Sequence, residues 1–180
     1  MCVCVCVCVC VYAPLSLIPP CSISPLLQVN PSQPLTTPVW QGISQPGFSK
    51  LEELQMSLSD VVSFHAYEDA SKLQYTINKF TSANPNRPLV CTEYMARTAG
   101  STFEPHLDIM AQQNVYAYNW GMVSGRTQTI YPWSTIGNPA AREPEVWFHD
   151  VLRADGTPFN ASETAYIKSI LQPLTKVGGK

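Results

Sequence analysis

Long blocks of like charge are missing from this chain of 180 residues, in which 13% are charged and the formal net charge is −2. Their absence argues against nucleic acid or an anionic membrane as the main partner. A glycine-rich phosphate loop is also missing after every predicted strand, which ranks a flavodoxin-like nucleotide fold low. Beyond Cys21 the chain has a single cysteine, Cys91, and five of the others alternate with Val between residues 2 and 10. Cysteines two apart on an extended chain bridge poorly, so no disulfide framework follows. The Cys-x-Cys run also lacks the His or loop-spaced partners of a zinc site, and a metallothionein-like tail rests on spacing alone. No metal or cofactor is implied. Acidic residues are absent before Glu52, and the dipeptide Asn-Glu occurs nowhere.

The first 28 residues differ in texture from the rest. Alternating Cys and Val gives way to a Pro, Leu and Ser tract with no period and no polar face. The segment lacks the basic start of a signal peptide and is too short to span a bilayer. A TG repeat read in frame encodes alternating Cys and Val, and a pyrimidine-rich tract encodes Pro, Leu and Ser. Residues 1–28 therefore read as a low-complexity, disordered or translated non-coding segment. Transcript reads running contiguously through codons 1 to 40 in mature message would refute the non-coding origin.

From Val29 onward, short apolar runs recur at a spacing of about 26–27 residues: Leu35 to Trp40, Asp60 to Tyr67, Pro88 to Tyr94 and Val115 to Val123. Amphipathic stretches separate them. Ser49-Lys-Leu-Glu52 and Ser71-Lys-Leu-Gln74 have the form of capping boxes, and Ser101-Thr-Phe-Glu104 opens a third helix. The pattern is β-α-β-α-β-α-β with parallel strands. A long loop over residues 124–142 follows, then a predicted helix from Glu143 to Leu152, then a turn at Asp155-Gly156. Asn160 starts the last helix. Asn160-Ala161-Ser162 is also a glycosylation sequon, with helix capping at least as good a reading.

Strands of such folds present their chemistry at their C-terminal ends. Here those ends carry Trp40-Gln41-Gly42, His65-Ala66-Tyr67, Glu93-Tyr94 and Asn119-Trp120-Gly121. Aromatic faces beside a carboxylate and an imidazole suit sugar, whose C–H face stacks on rings while its hydroxyls take hydrogen bonds. Cys91 reads as an inert buried thiol, and Trp133 and Trp147 as packing residues.

The order of these motifs resembles the C-terminal part of retaining glycoside hydrolases, the (β/α)8 barrels of the cellulase-like family 5 and the β-galactosidase-like family 2. His65-x-Tyr67 resembles the strand-6 substrate motif, Thr92-Glu93-Tyr94 the strand-7 nucleophile motif, and Asn119-Trp120-Gly121 the strand-8 stacking motif. The resemblance implies an incomplete TIM barrel of about strands 5–8 with their helices over residues 29–175. It implies an oligosaccharide or glycoside substrate, with no nucleic acid or membrane partner. Glu93 would be the nucleophile. His65, Tyr67, Trp120, Trp40, Asn119 and Arg97 would contact substrate, with Gln128 and its loop as further contacts. The family's acid/base Glu follows an Asn on strand 4, about 5–5.5 Å from the nucleophile. This chain has no such dipeptide, so a fragment inactive alone is expected. A non-catalytic carbohydrate-binding remnant and a product without a role are the alternatives. Members of these families are often secreted, although no signal peptide is recognisable here.

Overall fold

The structure is a computed structural model, and it describes residues 30, 32–40, 43, 45–138 and 141–175. The 1–28 segment and the Gln41-Gly42 pair lie outside the described residues. The elements run α1 (Lys50–Ser57), β1 (Val62–Ala66), α2 (Ala70–Ala83), β2 (Leu89–Tyr94), α3 (Phe103–Gln112), β3 (Tyr116–Asn119) and α4 (Ala161–Thr175), with short 3₁₀ turns at Arg97–Ala99 and Trp133–Thr135.

The three strands form one parallel sheet in the order β1-β2-β3. Parallel neighbours need crossovers, and α2 and α3 supply them. The predicted alternation therefore holds as an α/β fold with a small parallel sheet; a closed barrel is not formed by the described residues. The run from Leu35 to Trp40 contributes only a parallel bridge from Val39 to Phe64. Its prolines explain the shortfall. Pro34 and Pro38 bring no N–H to a ladder. Two of the three N–H groups between them are taken by side chains, Leu35 by Asp60 Oδ2 at 2.8 Å and Thr37 by Ser59 Oγ at 3.2 Å.

One face of the sheet is covered by helices. Leu73, Ile77 and Phe80 lie at i, i+4 and i+7 of α2, all fully buried in one core cluster with Phe64 and Cys91. The Phe64 and Phe80 rings stack at 5.2 Å. The other face is open at β3, where Tyr116 and Tyr118 are exposed and Val90 is the in-register neighbour of Tyr116.

The caps partly follow the sequence. Ser49 and Glu52 form the expected capping box at α1. At α2 the cap is Asp69, whose Oδ1 accepts from the Ser71 and Lys72 N–H groups, so the box expected at Ser71 begins two residues too late. A carboxylate at the N-cap satisfies two orphan donors and complements the helix dipole. Asn160 caps α4, accepting from the Ser162 N–H at 3.0 Å.

The helix expected from Glu143 to Leu152 does not form. Its donors turn outward, Phe148 N–H to Ile130 O and His149 N–H to Thr129 O, and Val151 and Leu152 N–H both reach Met122 O. Pro144 and the bulky run Val146-Trp147-Phe148 suit this extended path better than a helix. Trp147 still packs as expected, its ring stacked on Phe159 at 4.7 Å and its indole N–H donated to Glu143 Oε1.

Candidate functional site

The site begins with an irregularity in β2. Phe64 pairs with Cys91, but His65 pairs with Glu93. One extra residue of β2 is therefore accommodated at this point, and the β2–β3 register shows the same insertion between Cys91 and Tyr94. An extra residue flips every later side chain to the other face. Cys91 and Tyr94, three apart, are both buried, while Glu93 comes to lie beside His65. Regular alternation would instead have put Glu93 on the same face as Cys91.

Glu93 is held at one oxygen. The Tyr67 hydroxyl donates to Oε2 at 2.8 Å, and His65 Nδ1 lies 3.2 Å from the same atom. Neither contact uses Oε1. The His65–Glu93 spacing is that of an ion pair, but burial lowers the His65 pKa to about 4, so the imidazole is neutral near pH 7 and the contact is between a carboxyl and an uncharged ring. Burial also pushes the Glu93 carboxyl up, and the Tyr67 hydrogen bond works against that shift. Tyr67 is pushed well above the usual phenol range, first by burial and then by Glu93, so it stays a donor at any relevant pH. Burial raises the Cys91 thiol to about 12, which leaves it unreactive as the sequence suggested.

Aromatic rings flank this cluster. Trp40 stacks toward His65 with centroids 6.5 Å apart, and it is 39% exposed. Trp133 meets Tyr67 edge-on at 5.0 Å and is 48% exposed. Trp120 is 46% exposed, with its backbone N–H bonded to Tyr94 O at 3.1 Å. Asn119, the in-register neighbour of Tyr94, donates its amide to Gly121 O. Gly121 has φ +88°, and a Cβ there would sit 2.5 Å from Asp150 Oδ1. Only glycine lets this turn pack against residues 149 and 150.

Of the residues expected at the site, the structure groups His65, Tyr67 and Glu93 directly, with Trp40 beside them. Trp120 and Asn119 stand at the end of the next strand. Arg97 is committed elsewhere. Its guanidinium holds both Glu163 oxygens, at 2.9 and 2.7 Å, and the carbonyls of Trp147 and Asp150. Its side chain is 6% exposed, so it is a structural tie between the turn after β2 and α4. Gln128 lines a cleft of about 610 Å3 within the 124–142 loop, with Thr127, Tyr131 and Thr135, and none of the residues around Glu93 lines it. Trp133, read from the sequence as packing, reaches Tyr67 from that loop. The available signal was its place in a long loop after the last strand, where functional side chains concentrate.

The Asp69 carboxylate caps α2 and is engaged away from the cluster. Glu68 gives its backbone carbonyl to His106 Nε2 at 2.9 Å, and its carboxylate Oε2 is buried without a hydrogen-bond partner. Among the described residues no three His, Cys, Asp or Glu are grouped to hold a metal ion, and no helix is long and apolar enough to cross a membrane.

The end of β2 is strained. Met95, fully buried, has φ +72°. This left-handed conformation costs a non-glycine residue about 1–2 kcal/mol. Ser101 Oγ accepts its N–H at 3.1 Å, and His149 Nδ1 bonds its carbonyl at 2.7 Å.

Neither a protein-family model nor a curated protein matches this chain. Among solved structures it is similar to Bacteroides uniformis beta-glucuronidase 2 covalently bound to cyclophellitol-6-carboxylate aziridine, at 13% identity and a TM-score of 0.43, over 76% of this chain and 18% of that one. It is also similar to a b-glucuronidase from Ruminococcus gnavus in complex with D-glucuronic acid, at 14% identity and a TM-score of 0.40, over 77% of this chain and 27% of that one. A further Ruminococcus gnavus beta-glucuronidase gives 14% identity and a TM-score of 0.41, over 77% and 26%. The chain spans about a quarter or less of the length of these proteins. At TM-scores of 0.40–0.43 the likeness is loose.

Proposed function

We propose that this chain is part of a retaining glycoside hydrolase acting on β-linked glycosides, with Glu93 as its nucleophile and no acid/base partner of its own. The observation that carries the reading is the Tyr67–Glu93–His65 cluster at the C-terminal ends of two adjacent parallel strands. One carboxylate oxygen is gripped by Tyr67 and approached by His65, and the other is used by neither. That arrangement suits attack on an anomeric carbon. Oε1 forms the new bond to carbon while the glycosidic C–O bond breaks toward the leaving group, giving a covalent glycosyl-enzyme that water then hydrolyses. Trp40, Trp120 and Trp133 supply exposed ring faces for pyranose stacking.

Both steps need a second carboxyl group, which protonates the leaving oxygen and later activates water. The hydrogen-bonded cluster contains one carboxylate, and the sequence has no Asn-Glu dipeptide. The chain alone is therefore inactive in this reading, and residues 29–175 serve as the nucleophile-bearing half of a barrel. The test is an aryl β-glycoside assay of the chain alone and of the chain joined to a barrel half bearing Asn-Glu. No turnover in the first and Glu93-dependent turnover in the second support the reading; Glu93-independent turnover in either contradicts it.

A second reading is favoured by the exposure of the three tryptophans: a binding module that holds oligosaccharide without cleaving it. Calorimetry of the chain alone with oligosaccharides separates the two. Binding that is lost on Trp120→Ala, together with no turnover in the joined barrel, supports the module.

A further inference from the structure

We infer that His149 is a positioning residue for Glu93, fixing the strained turn that ends β2 and backing the Tyr67 ring that grips the carboxylate. The inference rests on the reading of Glu93 as the nucleophile for its catalytic meaning, though not for its geometry.

The Trp147-Phe148-His149-Asp150 segment is docked onto the end of β2 from several directions. The Arg97 N–H donates to Phe148 O at 3.0 Å, and the Arg97 guanidinium donates to Trp147 O at 2.8 Å and Asp150 O at 3.0 Å. His149, 2% exposed, answers with its Nδ1 on Met95 O at 2.7 Å. A carbonyl accepts only, so Nδ1 carries the proton and donates. Burial lowers the pKa of this imidazole and keeps it neutral. Nε2 has no protein partner. A neutral ring locked in one tautomer is fitted to hold a backbone turn rather than to exchange protons.

Met95 is two residues beyond Glu93, and its left-handed conformation persists only where neighbours over-determine it. Ser101 does so from the other side. It accepts the Met95 N–H at 3.1 Å and donates to Ala66 O at 3.3 Å, the residue before Tyr67. The His149 ring lies 5.6 Å from the Tyr67 ring and 5.8 Å from the Trp133 ring. The two strand ends that carry the donor and the carboxylate thus meet at one buttress. Releasing the Met95 carbonyl frees the turn to relax, and the Tyr67–Glu93 hydrogen bond lengthens.

The test reads the Glu93 carboxyl titration by carbon NMR in the full chain. Tyr67 and His65, which face the Glu93 carboxylate, are uncharged near pH 7, and the Cys91 thiol, bonded to the Glu93 carbonyl, is protonated. His149→Asn keeps a donor near the position of Nδ1, whereas His149→Leu keeps bulk without a donor. The expected result is a Glu93 titration close to wild type in the Asn variant and about one pH unit higher in the Leu variant, the cost of a weakened bond to the charged form. An unchanged Leu variant, or an Asn variant shifted as far as Leu, overturns the inference. If the Leu variant does not fold, Ser101→Ala carries the test with the same upward shift expected, and an unshifted titration there is equally contrary. Turnover and sugar binding are not part of this readout. A failed glycosidase reading leaves the expected shifts intact, and failed positioning shows as absent shifts even in an active barrel.

Discussion

Tyr67 donates its hydroxyl to Glu93 Oε2 at 2.8 Å across the ends of two parallel strands, 26 residues apart in sequence. Burial alone would favour the neutral carboxyl, and this hydrogen bond is the force that holds the charged form within reach. A nucleophile has to be ionised, so the bond is the part of the site most open to test.

Replacing Tyr67 with Phe removes that donor while keeping the ring. The Glu93 pKa then rises further, by about one unit, since a hydrogen bond to a charged group contributes about 1.5–3 kcal/mol and part of it is replaced by water. Carbon NMR of the labelled carboxyl measures it. A fall, or no change, would mean the bond does not bear on the ionisation of Glu93.

His65 gives the fold a pH dependence. Its folded pKa of about 4 lies below the ordinary histidine value of 6.5. Above pH 6.5 both states are neutral and nothing is lost. As pH falls from 6.5 toward 4 the unfolded chain takes up a proton that the folded chain refuses, so stability declines across that window. With discount for partial exposure the loss is about 2 kcal/mol. Urea midpoints at pH 7 and pH 4.5 should differ accordingly, and His65→Gln should remove part of the difference. His106 and His149, also lowered by burial, add in the same direction.

Arg97 separates structure from site. Arg97→Met leaves Glu163 partly buried without its partner and the Trp147 and Asp150 carbonyls without their donor. A loss of about 3 kcal/mol is expected in denaturant unfolding. Because the guanidinium points into this tie, oligosaccharide affinity in the folded fraction should stay as in wild type. A selective loss of affinity with unchanged stability would return Arg97 to the substrate contacts.

Trp120→Ala should weaken oligosaccharide binding by about three- to tenfold, the magnitude of one aromatic stacking contact. Isothermal calorimetry reads it. Phe80→Ala, by contrast, should cost about 3–5 kcal/mol of stability, since that ring stacks on Phe64 in the covered face of the sheet.

The sequence showed most of what depends on local pattern. The apolar run from Pro88 to Tyr94, the Ser49 capping box and the His65-x-Tyr67 pair could all be read because each is set within a few residues. The bulge in β2 could not. It exists only in the register between β1 and β2, yet it decides which face Glu93 takes. Arg97 shared a strand end with Glu93 in the sequence, and nothing local revealed a partner 66 residues away at Glu163. The stretch from Glu143 to Leu152 failed as a helix because its donors are claimed by Met122, Thr129 and Ile130, tertiary partners that override propensity. The Ser71 box lost to Asp69 because two good caps lay two residues apart and the carboxylate is the stronger acceptor.

The nucleophile role of Glu93 is tested most directly by chemical rescue. In a barrel completed with a half bearing Asn-Glu, Glu93→Ala should lower turnover of an activated aryl β-glycoside on the order of 10⁴-fold or more. Added azide should restore it, with the glycosyl azide formed in the inverted, α configuration. Loss of activity with no azide product, or full activity without Glu93, would contradict the account.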